Sequence, residues 1–177
     1  IYTSGTTGDP KGAVLTHSNF VSNVLSCTEA FRIESRDSCL SILPLSHALE
    51  RTGGYYAPLS KGVTIAYAEN FNAVGENLRE VRPTFIISVP RFFEKLYERV
   101  NDRIAMETAA RKKLFAWAVR SGRERTRERA GGRGSAPARL RHLAADALVL
   151  KKIRSRTGGR LRFCVSGGAP LSPEIAE

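Results

Sequence analysis

Four short apolar runs constrain this chain more than any other feature: Ser41-Ile-Leu-Pro-Leu45, Val63-Thr-Ile-Ala-Tyr67, Thr84-Phe-Ile-Ile-Ser-Val89 and Leu161-Arg-Phe-Cys-Val165. Each has strand length and β-branched or aromatic content, with turn signals around it. A strand that is apolar on both faces needs cover on both. Such strands, alternating with helical segments, predict a mostly parallel sheet flanked by helices, so the class is α/β. Helical spacing marks residues 16–31, with Thr16 as cap and Val21, Val24, Leu25 and Thr28 on one face. A short polar helix fits 72–82. From Pro90 onward the pattern turns helical: Phe93, Leu96, Val100 and Ile104 make one stripe, Leu114, Trp117 and Ala118 a second, and Leu140, Leu143, Ala147 and Leu150 a third. Between the last two, Ser121 to Ala138 is rich in Arg, Gly, Ser and Ala without an apolar face, which predicts an exposed, mobile connector. There is no internal repeat.

Composition narrows the class of function. Of 177 residues, 42% are hydrophobic and 25% charged, the balance of a globular chain with a real core. Cys27, Cys39 and Cys164 form no CxxC pair, so neither a disulfide framework nor a zinc cluster is predicted and a reducing, cytoplasmic location is expected. No apolar run approaches the roughly 18 residues of a membrane span, and no signal peptide opens the chain. Ile1 and Tyr2 read as the end of a strand, and Ser172 with Pro173 as the first turn of a helix, so an internal fragment is expected. The net charge of +11 is one block: residues 91–162 hold 21 of the 28 Lys and Arg but only 7 of the 17 Asp and Glu. Such a block fits a solvated face first, attraction to an anionic membrane second and RNA third. No aromatic side chains interleave with the arginines, so bases would find no stacking platform and no specific nucleic acid is expected.

One loop carries chemistry. Thr3-Ser-Gly-Thr-Thr-Gly-Asp-Pro-Lys-Gly12 gathers four hydroxyls, three glycines and one lysine. Glycines let main-chain amides approach an anion, hydroxyls add donors and the lysine adds a compact charge, a combination suited to a triphosphate. A flexible Ser/Thr/Gly linker has the same composition; the order, strand then loop then helix, favours phosphate. It is not a Walker A loop, because Lys11 is followed by Gly12 and Gly5 and Gly8 stand too close.

With Leu15-Thr-His17 behind it, this string resembles the phosphate-binding signature of the adenylate-forming (AMP-binding) superfamily. Three further segments resemble that superfamily in order: Leu43-Pro-Leu-Ser-His-Ala-Leu-Glu-Arg51, Ser88-Val-Pro-Arg-Phe-Phe-Glu-Lys95 and Val165-Ser-Gly-Gly-Ala-Pro-Leu171. The Pro-Leu-Ser-His form with Glu-Arg is most similar to long-chain fatty acyl-CoA synthetases. The resemblance implies that residues 1–177 belong to the large N-terminal domain, with 101–158 a basic helical insertion.

It further implies MgATP-driven activation of a fatty acid to an acyl-adenylate, releasing pyrophosphate, and then transfer to coenzyme A with release of AMP. By that resemblance Thr3, Ser4, Gly5, Thr6, Thr7, Gly8 and Lys11 hold the ATP phosphates, with Thr6 and Lys11 acting on the reaction itself. His47 would orient the carboxylate without serving as a base, since a carboxylate is already ionised at neutral pH. Arg51 would edge the acyl pocket, where some relatives carry an aromatic gate. Glu50, Tyr55 and Tyr56 could do the same, although ordinary packing is the preferred reading of the tyrosines. Gly167, Gly168, Ala169 and Pro170 would make room for adenine, with Gly168 also beside the acyl carbonyl. His17 braces the loop and His142 is structural. No metal ligand is assigned; the magnesium carboxylate is expected after Glu177. Two alternatives stay open: a ligase that loads a carrier protein, and a basic membrane-surface or RNA-binding module. Peripheral contact with anionic membrane is compatible with the enzyme reading.

Overall fold

The computed structural model describes residues 1–3, 11–132 and 135–176. Its first helix, α1 (His17–Ala30), opens with a capping box: the Asn19 amide donates to Thr16 Oγ1 at 3.2 Å, and the Thr16 amide donates to Asn19 Oδ1 at 2.9 Å. Val24 and Thr28 turn inward as predicted, while Val21 and Leu25 face out.

Four parallel strands follow: β3 (Ser38–Ser41), β4 (Thr64–Tyr67), β5 (Phe85–Ser88) and β6 (Phe163–Ser166), in spatial order β4-β3-β5-β6. A separate antiparallel hairpin joins β1 (Tyr2–Thr3) to β2 (Lys11–Gly12). The predicted α/β class and parallel sheet are thus present. Strand β3 starts three residues before the apolar run 41–45 and ends where that run begins. Pro44 lacks an amide for the ladder, and residues 42–49 leave the sheet as a crossover.

Both faces of the sheet are apolar, which is why the runs read as nearly continuous. Cys39, Phe85 and Ile87 pack with Val24, Ile33, Ala57 and Val63 on one side; Leu40 and Ile86 pack with Val74, Leu78 and Phe92 on the other. Phe85 stacks on its register partner Phe163, with ring centroids 5.1 Å apart. At the amino edge Asp37, Thr84 and Arg162 tie three strands together. The Thr84 hydroxyl donates to Asp37 at 2.8 Å and accepts from the Ser38 amide at 3.0 Å, while Arg162 Nη1 lies 2.6 Å from each Asp37 oxygen.

Strand β3 leads through a π-helix (Glu50–Tyr56) and α2 (Ala57–Ser60) to β4; α3 (Val74–Val81) then carries the chain back past β3 to β5. The crossovers diverge between β3 and β5, and at such a switch point a crevice opens beyond the carboxyl ends of the strands.

Between β5 and β6 the chain makes a helical excursion: α4 (Pro90–Ala105), α5 (Ala109–Ala130), α6 (Ala136–Ala145), a π-helical turn (Asp146–Leu150) and α7 (Lys151–Ser155). Here the expected connector is corrected, because α5 runs on through residues 121–130. The buried positions of α5 and α6 are Ala118, Ser121, Ala138 and Ala145, whose small side chains give no hydrophobic periodicity. Leu140 and Leu143, read as a packed stripe, face outward. The excursion is pinned at its return by Arg82 Nε, which donates to the Gly158 carbonyl at 3.0 Å. The last helix is α8 (Pro173–Ala176).

Candidate active site

Residues 42–49 turn over the carboxyl end of β3. The His47 amide donates to the Pro44 carbonyl and the Arg51 amide to the His47 carbonyl, both at 2.9 Å, so the turn runs directly into the π-helix. His47 is exposed, and its Nδ1 accepts from the Leu49 amide at 3.3 Å. That assignment leaves the ring proton on Nε2, a donor suited to a carboxylate oxygen. Arg51 braces the same turn, donating from Nε to the Leu45 carbonyl at 2.9 Å.

Beneath this turn lies a mostly apolar cavity of about 420 Å³ between α1, the π-helix and the sheet. Phe20, Leu49, Thr52, Gly53, Ile87 and Val165 line it, and Ile1 at the foot of the hairpin reaches it too. A smaller space, about 330 Å³, lies between Ile1, Tyr2, Ser46 and Arg51. The hairpin pairs Thr3 with Lys11, so the two ends of the predicted phosphate loop meet. Residues 4–10, which include Ser4, Gly5, Thr6, Thr7 and Gly8, lie outside the described residues.

After β6, the Gly167 amide donates to the Ser88 carbonyl at 3.1 Å, and Gly168 adopts a left-handed φ of 86°. The Leu49 side chain packs so closely on Gly167 that a Cβ there would sit 3.0 Å from it. Leu49 therefore joins the His47 segment to the turn that continues into the exposed Ala169 and Pro170. The structure brings together His47, Arg51, Gly167, Gly168 and the hairpin stem at one edge of the sheet. His142 lies apart in α6, and His17 starts α1.

Sequence reasoning overlooked the fully buried state of Glu50 at the head of the π-helix. Burial pushes its carboxyl above the usual range, against opposing effects from Ser41, the Leu43 and Ile42 amides and the His47 charge. A glutamate beside an arginine reads as surface; the one available signal was Gly53-Gly54 a turn later.

The block of positive charge is partly spent internally. Arg125 pairs with Glu128, Arg141 with Glu124 and Arg154 with Asp146, and Arg123 donates to the Glu174 carbonyl. Among the described residues no group of three or more His, Cys, Asp or Glu could hold a metal ion, and no helix is long and apolar enough to cross a membrane.

A parallel sheet covered on both faces, with a glycine turn at its carboxyl edge and an apolar cavity between α1, the π-helix and the sheet, defines an α/β ligand-binding domain. Residues 1–177 match the family model of AMP-binding enzymes, and the chain belongs to that family. It is 35% identical over 177 residues to long chain acyl-CoA synthetase 6, peroxisomal, of Arabidopsis thaliana, in an alignment covering 99% of this chain and 24% of the relative. The chain spans about a quarter of the length of the curated relatives it matches. Its fold is similar to the inhibitor-bound N-terminal domain of FACL13 from Mycobacterium tuberculosis (TM-score 0.59, 20% identity, 98% of this chain and 31% of that one). A second similar structure is a malonyl-CoA ligase ternary product complex with methylmalonyl-CoA and AMP bound (TM-score 0.51, 27% identity, 58% and 22% covered).

Proposed function

We propose that this chain is the ATP- and acid-binding part of a long-chain fatty acid–CoA ligase, within its N-terminal domain, with residues 101–158 as an insertion. The carboxylate of the fatty acid attacks the α-phosphorus of ATP and displaces pyrophosphate; the thiol of coenzyme A then attacks the acyl carbonyl and displaces AMP. The observation that carries this reading is the mostly apolar cavity of about 420 Å³ on the sheet face, walled in part by Ala48, Leu49, Thr52 and Gly53, the segment that directly follows His47. Its size is that of a small-molecule site, and each methylene buried there contributes about 0.8 kcal/mol. His47 Nε2 orients the head group, Arg51 holds the turn that carries His47, and Gly167, Gly168, Ala169 and Pro170 leave space for adenine. Thr3 to Gly8 and Lys11 bind the phosphates. Magnesium, expected for the family, finds no ligand cluster among the described residues.

The test is ATP–pyrophosphate exchange by the full-length protein across acids from acetate to palmitate, with thioester formation on coenzyme A followed separately. Exchange should be greatest with medium and long chains, and Thr6→Ala or Lys11→Ala should slow it by about 10² to 10³, the usual loss for one preorganised donor. Exchange driven by an amino acid, or by no carboxylic acid at all, would reject the reading.

Peripheral attraction to anionic lipid completes the proposal, and it falls to the exposed Lys112, Lys113, Arg139, Lys151 and Lys152 rather than to Arg123 and Arg125. Each basic residue that reaches a lipid surface contributes about 1 kcal/mol. Replacing these five with serine should weaken sedimentation with phosphatidylserine vesicles at low salt; unchanged sedimentation would make them a solvated face.

A further inference from the structure

Glu50 has no exposed surface, and neither phosphate binding nor carboxylate orientation as proposed above uses it. Ser41, the last residue of β3, donates its hydroxyl to Glu50 Oε1 at 2.5 Å. The Leu43 and Ile42 amides also favour the charged form of Glu50, although Oε2 has no hydrogen-bond partner of good geometry. A buried carboxyl still costs desolvation free energy that a leucine of similar size would not. Stability alone therefore does not account for a glutamate here.

The backbone around it is shaped to admit the carboxyl. A Cβ at Gly54 would overlap the Glu50 carboxyl, so Gly54 leaves it room, and a Cβ at Gly53 would overlap Ile87 Cδ1, so Gly53 lets the π-helix ride close against β5. The helix itself is of a rare kind that is found frequently at functional sites. Thr52 and Gly53 of the helix, with Leu49 just before it, are a wall of the 420 Å³ cavity, while Glu50 and Gly54 are buried. The Glu50 charge also acts on the thiol of Cys39, which burial, with that contribution, pushes up to about 12. Cys39 in turn lies 3.9 Å from the Gly54 carbonyl, to which it donates. Glu50, Ser41, Cys39 and Gly54 thus form one buried polar joint between the helix and the sheet.

We infer that Glu50 is a positioning residue that straps the π-helix to the end of β3, and so sets the width of the acyl cavity and the place of His47 one turn before it. This rests on the reading of that cavity as the acyl site. Its partners Ser41, Cys39 and Gly54 are none of the residues proposed to bind the phosphates, so the joint is assigned to the acid and not to ATP.

Three variants of the full-length enzyme test it: Glu50→Leu, which keeps volume but removes the bond; Ser41→Ala, which removes the donor from the other side; and Glu50→Gln, which keeps shape and an acceptor for Ser41. Misplacement of a substrate-positioning wall is costly to turnover, so Glu50→Leu should raise KM for palmitate about tenfold and Ser41→Ala about threefold, with a broader chain-length preference. KM for ATP should stay within about twofold of the parent, and Glu50→Gln should restore the parental chain-length profile. An unchanged palmitate KM and profile in Glu50→Leu or Ser41→Ala overturns the inference. So does a parallel rise in KM for ATP, or a Glu50→Gln variant as impaired as Glu50→Leu. Should Glu50→Leu fail to fold, Ser41→Ala decides alone, since it removes one oxygen. Failure of the acyl reading itself shows differently, as a parent enzyme that activates no fatty acid.

Discussion

In the sheet and the helix α3 packed on it, the largest fully buried side chains are Phe85, Leu40, Ile86 and Leu78; in α5 and α6, the buried positions among the described residues are Ala118, Ser121, Ala138 and Ala145, and the leucines at 140 and 143 point outward. The first region is held by apolar area, with each fully buried large side chain stabilising by about 1.5–3 kcal/mol. The second is held by close approach of small residues and by surface ion pairs, which contribute about 0–1 kcal/mol each. Positive charge thus concentrates where burial contributes least, and part of it is used to hold the helices together. The sheet carries the site, and the excursion can differ in stability without disturbing it.

Opposite substitutions separate the two regions. Phe85→Ala removes a fully buried ring stacked on Phe163 and should lower the stability of the whole domain by about 3–5 kcal/mol in a urea titration. In the excursion the damaging change is enlargement: Ala118→Leu should cost about 1–3 kcal/mol and raise amide exchange in α5 and α6 while β3 and β5 keep their protection. Loss of protection throughout the sheet in Ala118→Leu would show the two regions to be one cooperative unit.

A smaller effect distinguishes their responses to acid. Burial pushes the Asp37 carboxyl up, but hydrogen bonds from Arg162, the Glu34 amide and Thr84, with the Arg162 charge, outweigh it and hold the group below its ordinary 3.8. A carboxylate depressed in the folded state contributes stability that is complete above its unfolded value, here 3.8, and disappears as pH falls through the lower folded value. Urea midpoints at about pH 5 and about pH 3 should therefore converge for parent and Asp37→Asn at the acid end. A constant difference would mean that Asp37 acts by shape alone.

Much of this was readable before any coordinates. Apolar runs with turn signals located β4, β5 and β6, because a sheet buried on both faces leaves an unbroken apolar trace, while the run 41–45 fell just past β3; Thr16 marked its helix because the cap is a local interaction. Register was harder: β3 begins at Ser38, held by Thr84, a residue 46 positions away that no local pattern reveals. The π-helix was hidden because Leu43-Pro-Leu45 continues an apolar run, and Glu50 because a carboxylate is ordinarily outside. The course of α5 through residues 121–130 escaped because alanine and serine carry its contacts. At the site, His47, Arg51, Gly167 and Gly168 were expected together and do share one edge, whereas the strap behind them depends on a tertiary contact between Ser41 and Glu50.

The joint of Asp37, Thr84 and Arg162 has a consequence for synthesis. Thr84 follows Asp37 by 47 positions, but Arg162 follows it by 125. From Ser88, the end of β5, to Phe163, the start of β6, is 75 residues, and a ribosome adding roughly 5–20 residues per second takes about 4–15 s to cover that interval. During it, β5 has β3 on one side and nothing of its own sheet on the other, an apolar edge open to pairing with whatever strand is near. The helices of the excursion, built from local contacts, emerge in just that interval, and they can fold while the edge waits for β6.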